Sequence, residues 1–254
     1  MNNKVAMMTW YTYHNYGTAL QASALYNVIK ELGYSVDVIN YLPKAGRKKQ
    51  TVILLKTEIL EKVKQLMNRN YNSAKRTELF LQYLNNKITQ TVPCNSYVEL
   101  SDLESNYDAF VCGSDQIWSP LNFDEKYFLP FISNDNKKIA YAPSLGTSKI
   151  DDLTIRNRMC EHIGKFRHLS VRETRGAEMI QELTGKVAEV VLDPTLLMPA
   201  KEWDTYINEE GLPKLPQEKY IVCYFLGDYK KYMGYVRKLY KKMKIPYYVI
   251  PVKN

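Results

Sequence analysis

The chain opens on an apolar run, KVAMMTW (4–10), which predicts a strand. A polar turn follows, HNYGT (14–18). Beyond it Leu20, Ala24, Leu25, Val28, Ile29 and Leu32 recur at helical spacing, and Gly33 stands where such a helix would stop. SVDVINY (35–41) alternates and is rich in β-branched residues, which predicts a second strand. Strand, helix and strand in succession predict a βαβ unit opening a parallel sheet.

From Pro43 to about residue 90 the rhythm changes. Two helical patterns fit there, at 51–67 and 73–88, and both are rich in Lys, Arg, Asn and Gln. They predict a helical insertion whose basic side chains form a solvated surface, in preference to a guide for an anionic ligand. The alternation then resumes with YDAFVC (107–112), KKIAYAPS (137–144), a helix at about 151–166, HLSVR (168–172), a helix at 173–185 stopped by Gly185, and KVAEVVLDPT (186–195). The expected class is α/β, a doubly wound, mainly parallel sheet flanked by helices. One Rossmann-like domain is expected over 1–208, with the insertion at about 43–90. LPKLPQ (212–217) reads as a linker. A strand at KYIVCYFLG, a helix at 229–244 and a strand at PYYVIPV follow. One βαβ unit cannot cover its own apolar faces. Residues 209–254 are therefore read as the start of an incomplete second Rossmann-like domain, and the chain as a fragment or a truncated product.

Composition narrows the partners. The 254 residues carry a formal charge of +8, which suits anionic ligands, an anionic membrane surface or nucleic acid. No nucleic-acid reader motif accompanies the basic residues, so nucleic acid is not expected. The four cysteines form no CxxC pair, and Cys112 and Cys223 lie in apolar runs, which points to a reducing, cytoplasmic setting. The N-terminus is too polar for a signal peptide, and no stretch has the roughly 18 apolar residues of a membrane span. His14, His162 and His168 have no ligand spacing, and no GxSxG elbow is present. Neither a metal nor a cofactor is expected.

In open parallel sheets ligands lie beyond the carboxyl ends of the strands. Candidate chemistry therefore sits at His14-Asn15-Tyr16-Gly17, Gly113-Ser114-Asp115-Gln116, Ser144-Leu145-Gly146, Arg172 and Asp193. The helix start near Gly17 could take an anion on its free N–H groups, or it could be a plain turn with Thr18 as cap. Arg172 could hold a carboxylate or phosphate in a two-pronged contact, or pair with Glu173 or another acid. Asp115 could orient a hydroxyl or take a proton, or it could cap the turn. Trp118 reads as core in preference to a sugar-stacking platform, and Asp193 as shaping the turn at Pro194. The helix at 229–244 carries seven Lys/Arg; an outer helix of the sheet is preferred to a membrane-surface role.

Five segments in order carry a family resemblance: NYGTALQASAL (15–25), YDAFVCGSDQIWSP (107–120), KKIAYAPSLG (137–146), LSVRE (169–173) and VVLDPTLLMPAKEW (190–203). Together the sequence resembles the polysaccharide pyruvyl transferases. The resemblance implies a two-domain fold similar to GT-B glycosyltransferases, with the site in the cleft between domains. It implies transfer of a pyruvyl group from phosphoenolpyruvate to a sugar of a cell-surface polysaccharide or its lipid-linked precursor, giving a pyruvate ketal. Arg172, through SVRE, matches the arginine associated with the donor. The expected donor and acceptor contacts are Arg172 with Asn15, Tyr16, Gly17, Gln21, Gly113, Ser114, Gln116, Ser144 and Gly146. Asp115 is the expected catalytic group. A peripheral contact with the inner membrane face goes with a lipid-linked acceptor. The family also has a C-terminal histidine motif, whereas no histidine follows His168 here. Donor binding by these residues alone is therefore expected to be weak or absent. A nucleotide-sugar glycosyltransferase and a non-catalytic remnant are the competing readings.

Overall fold

The computed structural model describes residues 3–12, 15–43, 71–205, 218–225 and 228–251. His14, the helical pattern at 51–67 and the linker at 212–217 lie outside them. The described chain runs β1 (Lys4–Met8), α1 (Tyr16–Glu31), β2 (Ser35–Val38), α2 (Tyr71–Lys87), α3 (Tyr97–Ser101) and β3 (Ala109–Cys112). It continues through β4 (Lys138–Ala140), α4 (Leu153–Ile163), β5 (His168–Val171), α5 (Thr174–Thr184), β6 (Glu189–Val190) and α6 (Ala200–Asp204). Last come β7 (Ile221–Phe225), α7 (Met233–Met243) and β8 (Tyr247–Pro251). By contacts the chain divides into two compact units, Met1–Ala200 and Lys201–Asn254.

In the first unit six strands pair in the order β2-β1-β3-β4-β5-β6, all parallel. The doubly wound α/β expectation is met. The two-residue side-chain period of β1 shows how both faces are filled. Val5 and Met7 pack on one side with Ala19, Ala22, Leu25 and Ile29 of α1 and with Phe80 and Leu84 of α2. Ala6 and Met8 face the other cluster, with Phe110, Cys112, Met159 and Ile163 of α4, and Met179 and Ile180 of α5. β2 lies on one side of β1 and β3 on the other. The crossovers therefore diverge between β1 and β3, and the carboxyl ends of those two strands form the switch point.

Several elements are shorter or shifted from expectation. β4 stops at Ala140 because Ala142 sits at φ 54 and Pro143 follows, both incompatible with a continuing strand. β6 keeps two exposed residues at the sheet edge. α1 begins at Tyr16, inside the expected polar turn. Ala24, Leu25 and Ile29 are buried as its stripe predicts, but Leu20 and Leu32 are exposed; Thr18, Gln21 and Ser23 are buried instead. The helix presents polar residues to the switch point, which a hydrophobic stripe does not reveal.

The second unit holds one parallel pair, β7–β8, with α7 between them in sequence. Phe225 stacks on Tyr232 at 5.2 Å between ring centroids. Of the α7 stripe, Val236 is buried, while Leu239 and Met243 stay about half exposed.

Candidate functional site

β3 delivers the chain to the switch point, and Gly113 allows it to turn there. A Cβ on Gly113 would stand 1.8 Å from the Tyr141 carbonyl oxygen, and its φ of +139 is foreign to side-chain-bearing residues. The next peptide, Gly113–Ser114, is cis. Gln21 holds this turn from α1. Its Oε1 accepts from the Ser114 N–H at 3.1 Å, while its Nε2 donates to Thr9 Oγ1 (3.1 Å), Trp10 O (2.9 Å) and Thr18 O (3.0 Å). Gln21 is 3% exposed. It positions the loop, and its amide is fully used inside the protein.

Asp115 follows at φ 63, a left-handed conformation that Asp tolerates better than most residues. Its Oδ2 accepts from Thr18 Oγ1 at 2.7 Å, its Oδ1 from the Gln116 N–H at 2.8 Å, and its carbonyl from the Ser144 N–H at 2.8 Å. The half-buried carboxylate thus ties the start of α1 to the loops after β3 and β4. Thr18 is not the helix cap. Asn15 is, with its Oδ1 accepting from Gly17 N at 2.9 Å and Thr18 N at 3.5 Å. Asn supplies a capping oxygen from outside the first turn, which frees the Thr18 hydroxyl for Asp115. The N–H groups expected to take an anion are accordingly occupied by Asn15. Tyr16 turns its ring onto Phe80, 5.2 Å between centroids.

Three strand ends further along are linked by hydroxyl groups. Ser114 Oγ donates to Ala142 O (2.9 Å), the Ala142 N–H donates to Ser170 Oγ (3.2 Å), and Ser170 Oγ donates to Ala140 O (2.9 Å). Next to Ser170 and Val171, Arg172 leaves β5 and meets two carboxylates. Its Nη1 donates to Asp193 Oδ2 at 2.8 Å and its Nε to Glu173 Oε1 at 2.9 Å. Asp193 also receives the Thr195 N–H (3.0 Å) and hydroxyl (2.7 Å) on Oδ1. Asp193 therefore shapes the Pro194 turn, as expected, and is also the second acid on Arg172. Burial pushes the Asp193 carboxyl up, but the bonds from Thr195 and Arg172 outweigh it and leave the group below its ordinary range. Burial likewise opposes the Arg172 charge, and Glu173 and Asp193 outweigh it, raising the guanidinium. Among the described residues Nη2 of Arg172 has no hydrogen bond.

Beside this cluster lies a recess of about 240 Å³, lined by Gln116, Ser144–Ser148, Glu173, Arg175 and Gly176. Ser144 Oγ accepts from the Gly146 N–H at 3.1 Å. Gly146 has φ +65, and a Cβ there would come within 3.0 Å of the Gln116 side chain. The structure thus gathers Gly113, Ser114, Asp115, Gln116, Ser144, Gly146 and Arg172 along one edge of the sheet. Gln21, Asn15 and Gly17 serve the framework of that edge, and Tyr16 turns away from it. Trp118 is core: it is fully buried, stacked on Phe128 at 5.0 Å, and donates from Nε1 to Tyr127 O at 3.2 Å. Thr9, and the bond from Thr18 to Asp115, have no signal in the sequence. A hydroxyl at a strand end or in a first helical turn is common, and only tertiary contact distinguishes these two.

Among the described residues no helix is long and apolar enough to cross a membrane, and no three His, Cys, Asp or Glu cluster as a metal site would require. In comparison with known proteins, the family model for polysaccharide pyruvyl transferase matches residues 15–250, nearly the whole chain. No curated protein matches the chain.

Proposed function

The chain belongs to the polysaccharide pyruvyl transferase family, and from that membership we propose that it moves a pyruvyl group from phosphoenolpyruvate onto a polysaccharide sugar as a ketal. We place the reaction in the cytoplasm, on a free or lipid-linked acceptor. The observation that carries the reading is Arg172: a guanidinium at the ligand-bearing edge of a parallel sheet, fixed by Asp193 and keeping Nη2 in reserve.

The donor carries a carboxylate and a phosphate, so it needs cationic and N–H partners. An incoming carboxylate competes with Glu173, the more exposed of the two acids on Arg172. Asp193 keeps the guanidinium aimed while that exchange occurs. A proton then adds to the methylene carbon C3, and C2 becomes an oxocarbenium-like centre. An acceptor hydroxyl forms its O–C2 bond and gives up its proton. The C2–O bond to phosphate breaks, and a second hydroxyl closes the ketal. Of the two hydroxyl protons, one balances the proton taken up at C3 and the other leaves with phosphate. Asp115 is the carboxylate assigned to the acceptor hydroxyl; its hydrogen bonds to Thr18 and Gln116 N–H fix its orientation.

The test is a melting experiment and a phosphate-release assay on the full chain. Phosphoenolpyruvate raises the melting temperature, since only the folded state binds it, and nucleotide sugars do not. Phosphate appears only when an acceptor is added, and Arg172→Lys loses both effects because it forfeits the planar fork. A melting shift with nucleotide sugars instead would replace pyruvyl transfer by glycosyl transfer.

A further inference from the structure

We infer that the recess formed by Gln116, Ser144–Ser148 and Glu173 is the subsite for one uncharged sugar ring of the acceptor, and that it selects against acidic sugars. This rests on the pyruvyl-transfer reading for its biological role, but the binding chemistry stands on the recess itself.

Charge sets the selectivity. Arg175 lines the recess and Arg172 adjoins it through Glu173, and each arginine is already held by two carboxylates. Arg172 has Glu173 and Asp193, and Arg175 has Glu178 and Glu182. Two positive charges thus face four negative ones. Lys149, on the neighbouring loop, pairs with Asp151 at 2.9 Å. A uronic acid or other anionic sugar placed here meets the Glu173 carboxylate and an Arg175 guanidinium already engaged by Ser148 O, Glu178 and Glu182, while Arg172 lies outside the lining. A neutral sugar meets none of that repulsion.

The polar groups in the recess suit hydroxyls. The Gln116 amide makes no hydrogen bond among the described residues and offers both donor and acceptor atoms. Glu173 uses Oε1 on Arg172, which leaves Oε2 toward Gly176, 3.7 Å from where a Cβ would stand there. Ser144 accepts from Gly146 N–H and retains its own O–H. Two glycines keep the walls flat: a side chain at Gly146 would press on Gln116, and one at Gly176 would stand over Leu145 and Glu173. Arg175 Nε donates to Ser148 O at 3.1 Å and so fixes the rim. The volume, about 240 Å³, is below the roughly 300–1,000 Å³ of ordinary ligand pockets, which fits a single ring and not an oligosaccharide.

The experiment uses the full chain and simple probes: the methyl glycosides of glucose, galactose and mannose, with methyl glucuronide as the acidic comparison. Binding is read by saturation-transfer NMR at millimolar glycoside. At least one neutral glycoside should bind, and methyl glucuronide should bind at least roughly tenfold more weakly. Gln116→Ala, at an exposed side chain, should weaken the neutral glycoside by roughly tenfold, the loss of one or two hydrogen bonds. Gly176→Ala should do the same by narrowing the recess; its new Cβ would have ordinary contacts of 3.5–3.7 Å, so folding is preserved and melting confirms it. No neutral glycoside bound, equal or better binding of the glucuronide, or neutral binding unchanged in both variants would each overturn the inference. Phosphoenolpyruvate is titrated separately. If it shifts melting and its phosphate is released with an acceptor while no glycoside binds, the sugar subsite falls and pyruvyl transfer stands. If glycosides bind as expected and phosphoenolpyruvate has no effect, the reverse holds.

Discussion

Replacing Asp193 by Asn tests whether the Arg172 clamp is built as the geometry says. The carboxylate takes Arg172 Nη1 on one oxygen and both Thr195 donors on the other. An amide has the same shape but only one acceptor oxygen. Whichever way it is turned, its NH₂ must face a donor from Arg172 or from Thr195. A charge-assisted bond is worth about 1.5–3 kcal/mol. Both side chains are about a quarter exposed, at 25% and 23%, which trims the value only modestly. The expected loss is about 2 kcal/mol, or roughly 4–8 °C in melting for a chain of this size. Glu173→Gln breaks the other arm, but that carboxylate is 42% exposed, so solvent screening holds its cost below about 1 kcal/mol. The pH dependence has a definite sign. Asp193 titrates below its ordinary value in the folded state, so its contribution is fully present above the unfolded carboxyl pKa of about 3.9 and is lost as pH falls through the folded value. Thermal unfolding followed by circular dichroism at neutral pH and near pH 3 reads both effects. The gap between wild type and D193N should be wide at neutral pH and shrink in acid. Equal melting at neutral pH, an undiminished gap in acid, or a larger cost for Glu173→Gln would refute the clamp.

Three further outcomes follow from the switch point. Gln21→Leu strands the Ser114 N–H in a buried site and should cost about 3 kcal/mol by denaturant titration. Gly113→Ala forces a Cβ to 1.8 Å from Tyr141 O and should cost at least about 3 kcal/mol, seen as loss of soluble folded protein. Asp115→Asn keeps its oxygen for the Gln116 N–H, turns its NH₂ to the Thr18 hydroxyl, which can accept, and suits the left-handed backbone, so melting should hold while phosphate release falls at least about tenfold; unchanged release would remove Asp115 from the chemistry.

Local chemistry makes much of the fold legible. Apolar runs at 4–10 and 107–112 contain β1 and β3, and Gly33 and Gly185 stand at positive φ just past their helices. These features act over a few residues, so their signals survive in one dimension. The strand ends are readable for the same reason: a doubly wound sheet puts its ligand edge where the strands stop. YDAFVCGSDQIWS shows the boundary well. Its strand and its glycine turn are plain, and so is the preference for Trp118 as core.

What no local pattern supplies is partnership. Asp115 meets Thr18 across 97 positions, Ser114 N–H meets Gln21 across 93, and Arg172 finds Asp193 21 residues on. Asn15 takes the cap expected of Thr18 because capping depends on which side chain can reach the first N–H groups once the turn is set. Reading along the chain thus suffices for the strand order along the sequence and the parallel class of the sheet. Which polar residues at the strand ends bond to one another, and which still face a ligand, emerges only on folding. A hydrogen bond is a matter of a few tenths of an ångström between groups that the chain keeps far apart.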